Sequence, residues 1–174
     1  MERKIIVVGM DNTGKTTLVN QLSDYYQCDH IKSLGPGYSR DEMLWEIVRK
    51  ITIDKMVVLE RFSILEECVY GKVLRNDPKF TVEDMDLVKP YNPLIVYCRP
   101  SDEVIYNFGD REQMDGVIEQ REKLVNEWDH LISQLKERDF EVITYDWTKN
   151  SLEDITRVIG ERDEYNSCKK RGNK

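Results

Sequence analysis

Nine residues near the amino end constrain this chain more than any other stretch: Gly9-Met10-Asp11-Asn12-Thr13-Gly14-Lys15-Thr16-Thr17. They follow Lys4-Ile5-Ile6-Val7-Val8, a β-branched run that reads as a buried strand, and precede Leu18-Val19-Asn20-Gln21-Leu22, which has helical spacing. A glycine loop between a strand and a helix is the setting in which this pattern becomes a phosphate site. Gly9 and Gly14 let the backbone close around an anion without Cβ clashes. The free N–H groups of Met10 to Thr17 at the helix start then point at the phosphate oxygens. Lys15 adds a mobile positive charge, and Thr16 offers a hydroxyl to Mg²⁺.

The remaining chain suits this opening. Its 174 residues fit one domain with a substantial core, taken here as 1–164, with a lid at about 100–113 and a basic tail over 165–174. The balance of 26 Lys+Arg against 33 Asp+Glu gives a net charge of −7, which argues against a broad nucleic-acid-coating surface but not against a local basic groove. No apolar run reaches the roughly 18 residues of a membrane span. The first strand follows Met1-Glu2-Arg3 directly, which leaves no room for a signal peptide. Cys28, Cys68, Cys98 and Cys168 are scattered and form no metal-ligand spacing, so a cytoplasmic protein with reduced thiols is expected.

Strands and helices alternate. Strands are expected at about 3–9, 30–34, 55–59, 93–98 and 140–145. Helices are expected at about 15–27, 41–51 (capped by Ser39), 64–75, 101–107, 111–137 and 151–162, with a short capped turn at Thr81-Val82-Glu83-Asp84. The helix over 111–137 is expected to be the longest, with Arg121 on its apolar face. Such alternation implies a parallel sheet covered on both faces, with ligands at the carboxyl ends of the strands. Four unusual sequences fall at those ends: the glycine loop, Gly35-Pro36-Gly37, Glu60-Arg61 and Cys98-Arg99.

The chemistry follows from these positions. Asp11, inside the phosphate loop, suits positioning of Mg²⁺ or of an acceptor, unless it turns to solvent. Glu60 can hold metal-bound water or a sugar hydroxyl, and the fork of Arg61 can grip a phosphate, unless the two form a plain surface pair. Arg99, Arg111 and Arg121 are candidates for neutralising a transferring phosphoryl group, with solvated helix charges as the alternative. Phe62, Tyr70 and Trp147 can stack on a base or pack in the core. His30 and His130 carry no nucleophile or metal spacing and receive no chemical role.

Together these residues resemble the thymidylate kinase family of P-loop nucleotide kinases, in a compact form like those encoded by bacteriophages. The resemblance spans roughly 3–160. It rests on the loop Gly9 to Thr17, similar to GxDGxGKTT; on Glu60-Arg61-Phe62, similar to an Asp-Arg-aromatic motif; on Gln113 with Gly116-Val117; and on Glu66-Glu67-Cys68-Val69-Tyr70-Gly71. It implies a three-layer α/β fold with a five-stranded parallel sheet in the order 2-3-1-4-5 and a short lid. It also implies ATP, Mg²⁺ and transfer of the γ-phosphate to a thymidine-type nucleotide, and homodimers are common in the family. On that pattern Gly9, Met10, Asp11, Asn12, Thr13, Gly14, Lys15, Thr16 and Thr17 hold ATP, and Thr16, Asp11 and Glu60 attend the metal. Arg61 and Arg99 hold acceptor or transferring phosphate, and Trp147 lies near adenine.

The departures cluster on the acceptor side. Glu60 stands for the usual Asp, Val8 for an acid before the loop, and Gly35-Pro36-Gly37 for an Arg-Glu-Pro-Gly stretch, so a customary arginine is missing. Three readings stay open. One is a deoxynucleoside monophosphate kinase. Another is a kinase of the hydroxymethyl group of 5-hydroxymethyluracil within phage DNA. The third is a nucleotide-dependent switch without transfer, disfavoured by the lack of an NKxD run.

Overall fold

A computed structural model describes residues 3–107 and 114–172, with side chains given as far as residue 162. Five parallel strands, β1 (Lys4–Val8), β2 (Asp29–Lys32), β3 (Val57–Glu60), β4 (Leu94–Cys98) and β5 (Glu141–Tyr145), form one sheet in the order β2-β3-β1-β4-β5. β1 pairs with β3 and β4 (Ile6 opposite Leu59 and Ile95), so the phosphate loop leaves from the middle of the sheet. The parallel sheet is what the alternating pattern implies, and its strand order is the one the family resemblance implies.

The strand pleat sorts side chains into two cores. Ile5, Val7, Val58, Val96 and Ile143 pack beneath α1 (Lys15–Tyr26) and α6 (Leu152–Gly172). Ile6, Val8, Leu59, Ile95 and Val142 face α2 (Arg40–Ile51), α3 (Ser63–Glu66) and α5 (Arg121–Glu137). Central strands buried on both faces read as continuous apolar runs, which is why β1 and β4 stand out in the sequence. β2 is an edge strand whose Asp29, His30 and Lys32 are exposed while Ile31 packs against the core, and its charges discourage pairing with another chain. Among the described residues no helix is long and apolar enough to cross a membrane.

Local signals set several boundaries. Ser39 and Glu42 form a reciprocal capping box at the start of α2, and Thr81 with Asp84 forms another at the 3₁₀ turn Val82–Leu87. The short helix α4 (Asp102–Tyr106) starts after Ser101 as expected.

Three expectations are corrected. The helix expected over 64–75 is α-helical only through Glu66 and continues as a π-helix over Glu67–Arg75. Glu67 folds back there to accept from Arg75 and from the Lys79 amide, and a Cβ on Gly71 would lie 2.8 Å from Glu67 Oε2. The helix expected over 111–137 begins at Arg121, because residues 115–120 form turns with Gly116 at φ +83°. The longest helix is instead α6, whose 21 residues run to Gly172, so residues 165–172, expected as a tail, are helical.

Candidate active site

The loop between β1 and α1 is held open from within. Gly9 has φ +142°, and a Cβ there would lie 2.5 Å from the Cys98 carbonyl oxygen at the end of β4. Gly14 has φ +84°, and its open face is covered by the Trp147 ring, whose Cδ1 would be 2.8 Å from a Cβ. Thr13 Oγ1 donates to the Met10 carbonyl (2.7 Å), and so does Lys15 Nζ (2.5 Å). The Asn12 amide donates to the carbonyls of Val104 (3.0 Å) and Asn107 (2.9 Å), tying the loop to α4. Lys15 is buried and folded back on its own loop, 3.7 Å from Asp11 Oδ1. A polyphosphate would give that ammonium better acceptors than a single carbonyl.

The carboxyl end of β3 completes one side. Glu60 is buried; Oε1 accepts from Thr16 Oγ1 (2.6 Å), and Oε2 lies 3.0 Å from His30 Nε2 on β2. Burial pushes the Glu60 carboxyl up, but the hydrogen bonds from Thr16 and His30 outweigh it and hold the group below its ordinary value. His30, given no role from the sequence, therefore orients Glu60. The hydroxyl of Thr16 and the carboxylate of Glu60 form a two-residue oxygen set that suits Mg²⁺ completed by phosphate oxygens and water. Among the described residues no group of three or more His, Cys, Asp or Glu is placed to hold a metal by itself. Asp11 is drawn elsewhere: its Oδ1 sits 3.4 Å from the Arg61 guanidinium.

Arg61 occupies a left-handed backbone position, φ +63°, pinned by its N–H to the Val7 carbonyl (3.0 Å) and by Ser33 Oγ donating to its carbonyl (3.2 Å). A left-handed arginine at a strand end is held there by these two hydrogen bonds against its own backbone preference. Its guanidinium lines a cleft with Leu34, Pro36, Ser63, Glu66 and Tyr70. Tyr70 is buried with its hydroxyl accepting from the Asp11 amide (3.2 Å), which links this cleft to the phosphate loop. The loop Gly35-Pro36-Gly37 is latched by Lys79 Nζ on the carbonyls of Pro36 and Tyr38 (2.6 Å each) and by Glu46 accepting from the Leu34 amide (3.0 Å).

On the other side of the loop a cleft of about 500 Å³ is lined by Asn12, Gly14, Thr17, Gln21, Tyr145 and Trp147, among others. Trp147 is half-exposed at its mouth. The turn beneath it is set by Asp146, which accepts from the Thr148 amide (3.0 Å) and hydroxyl (2.6 Å).

Other sequence candidates lie apart from this cluster. Phe62 is fully buried and belongs to the core, so it does not face a base. Arg99 is held by Asp129 (2.9 Å) and Asp102 (2.7 Å), contacts that raise the guanidinium's pKa and occupy its fork. Arg121 opens α5 with its guanidinium over the Tyr106 ring (5.2 Å), so it is not buried on an apolar face. His130 is exposed on α5. Arg111 lies outside the described residues. Glu66 and Arg75 also line the cleft beside Arg61, and the sequence assigns neither of them a site role. Glu66 stands in the Glu66-Glu67-Cys68-Val69-Tyr70-Gly71 stretch that carries part of the family resemblance, and no sequence signal points to Arg75.

No protein-family profile and no curated protein sequence matches the chain. Solved structures do. YorR from Bacillus subtilis, solved with phosphorylated GDP, superposes with a TM-score of 0.73 at 19% identity, covering 94% of this chain and 97% of that one. The chain has the fold of the P-loop kinases. Deoxyadenosine kinase from M. mycoides, solved with dCMP and dCDP, gives a TM-score of 0.62 at 15% identity over 93% and 99% of the two chains. Thymidylate kinase from Candida albicans gives 0.55 at 15% identity over 94% and 92%. Within that P-loop fold the cleft beside Trp147 and the cleft beside Arg61 lie on opposite sides of the phosphate loop.

Proposed function

We propose that this protein is an ATP- and Mg²⁺-dependent phosphotransferase that moves the γ-phosphate of ATP onto a thymidine-type acceptor, a nucleoside or a nucleotide free or within DNA. The observation that carries this reading is the buried Lys15 beneath an open glycine loop, with the Thr16–Glu60 oxygen pair beside it. Bound with ATP, Mg²⁺ would neutralise charge on the phosphates and hold them in line. Thr16 and Glu60 would hold it, Lys15 and the loop amides would bind the phosphates, and Trp147 would cover the adenine. Trp147→Ala is then expected to raise the KM for ATP roughly tenfold, since stacking on a base contributes about 1–3 kcal/mol. The fold should be unaffected because the ring is half-exposed; an unchanged KM in steady-state kinetics would remove the adenine from that cleft.

The acceptor side separates the two transfer readings. A monophosphate needs uncommitted positive charge. Among the described residues the arginines lining the acceptor cleft are Arg61 and Arg75, and each faces a carboxylate: Asp11 at 3.4 Å and Glu67 at 2.6 Å. Glu66 adds a further carboxyl. This balance favours a neutral hydroxyl, on a nucleoside or on a 5-hydroxymethyluracil base in DNA, over a monophosphate dianion. The deoxyadenosine kinase neighbour makes the nucleoside a natural member of the test set. Turnover of ATP should be measured with thymidine, with dTMP and with duplex DNA containing 5-hydroxymethyluracil. Transfer to either hydroxyl acceptor, with dTMP poor, is the expected result. Efficient transfer to dTMP would overturn the hydroxyl assignment, and ATP binding without transfer to any acceptor would overturn the kinase reading.

A further inference from the structure

We infer that Glu66 receives the proton of the acceptor hydroxyl during transfer, with Arg61 Nε donating to the same oxygen; this rests on the hydroxyl-acceptor reading above. Glu66 ends α3, the four-residue helix that follows β3 and Arg61, and its amide donates to the Phe62 carbonyl (2.9 Å). Its Oε1 is screened from solvent and has no hydrogen-bond partner. Arg61 Nε is in the same state. Both residues line the acceptor cleft. A buried polar atom without a partner is costly and calls for an explanation. Here there are two, an acceptor and a donor, in one cleft. A hydroxyl satisfies both at once, giving its hydrogen to Glu66 and taking one from Arg61. A phosphate dianion has no hydrogen for Glu66 and would be repelled by it.

The charged groups around Glu66 come from several elements: Lys15 on α1, Asp11 in the phosphate loop, Glu60 on β3 and Arg61. Glu66 thus lies within reach of charges on the phosphate loop and lines the cleft beside Arg61. Burial pushes the Glu66 carboxyl up to about 7, while Lys15 and Arg61 act to lower it. That value is suitable for a base working near neutrality. Glu60, held low by Thr16 and His30, is not.

In the step, the acceptor O–H bond breaks and its proton passes to Glu66. The freed electron pair forms the new bond to the γ-phosphorus, and the bond from that phosphorus to the β–γ bridging oxygen breaks, with its electron pair leaving on ADP. Glu66 returns the proton to water as product departs.

The test compares wild type, Glu66→Gln and Glu66→Asp, using whichever of thymidine or 5-hydroxymethyluracil duplex the wild type phosphorylates. Glu66→Gln is expected to lower kcat by about 10²–10⁴-fold. KM for ATP should hold within a few fold, and the melting temperature at pH 8 should be equal to or above that of wild type. Glu66→Asp should recover part of the rate, and the acid limb of the wild-type pH–rate profile should disappear in the Gln variant. If the wild type transfers but Glu66→Gln keeps more than a tenth of kcat, the role given to Glu66 is wrong while the kinase reading stands. A wild type that phosphorylates only dTMP, or nothing, removes the hydroxyl acceptor and Glu66's role with it. Should the Gln variant fail to fold, the Asp variant decides, with full wild-type kcat counting against the proposal.

Discussion

Lys15→Ala abolishes phosphoryl transfer and leaves the fold in place: this is the expected result with the largest catalytic effect. Lys15 is buried, yet its ammonium serves only the Met10 carbonyl and lies near Asp11. Loss of one such charge-assisted bond costs stability about 1.5–3 kcal/mol. On the proposed function, by contrast, its charge would turn from the Met10 carbonyl to the transferring phosphoryl group. Removal of a preorganised group of that kind lowers rates by roughly 10²–10⁵-fold. A radiolabelled ATP transfer assay alongside a thermal melt separates the two effects. Near-normal turnover would mean that the loop does not hold the transferring phosphates, and a collapsed melt would mean that Lys15 is mainly structural.

Gly9→Ala has the opposite profile, acting on the fold first. Gly9 sits at φ +142°, a conformation that side chains rarely adopt, and a methyl group there would be 2.5 Å from the Cys98 carbonyl oxygen. That oxygen belongs to the central sheet and cannot give way as a flexible side chain could. The strain and clash together are expected to cost about 2–4 kcal/mol, or roughly 6–12 °C in melting temperature for a chain of this size. Nucleotide affinity should fall as well, because the loop must shift to relieve the contact. A melting temperature within about 2 °C of wild type would show that β1 and β4 can part at their ends more easily than their packing suggests.

Much of the architecture is legible along the chain because its causes are local. Ile5 to Val8 and Leu94 to Cys98 are near-continuous apolar runs because both faces of a central strand are covered. Ser39 with Glu42 and Thr81 with Asp84, each pair three residues apart, mark helix starts. β2 was harder to place, since an exposed edge strand carries little apolar pattern. The nine-residue π-helical stretch after Glu66 carries no local sequence signal that separates it from an α-helix. There the wider winding follows contacts to Arg75, Pro78 and Lys79.

The candidate site divides along the same line. A cradle for phosphate can be read from nine consecutive residues, because a glycine loop, a helix start and a lysine are all neighbours in the chain. Which charges stay committed depends on distance across the folded molecule. Glu60 meets His30 from 30 positions away, Arg99 is captured by Asp129 from another 30, and Arg61 shares Asp11 with Lys15. Tertiary packing alone left Glu66 and Arg61 with unanswered polar atoms in one cleft. Electrostatic pairing follows through-space separation and burial, neither of which is written in the order of residues.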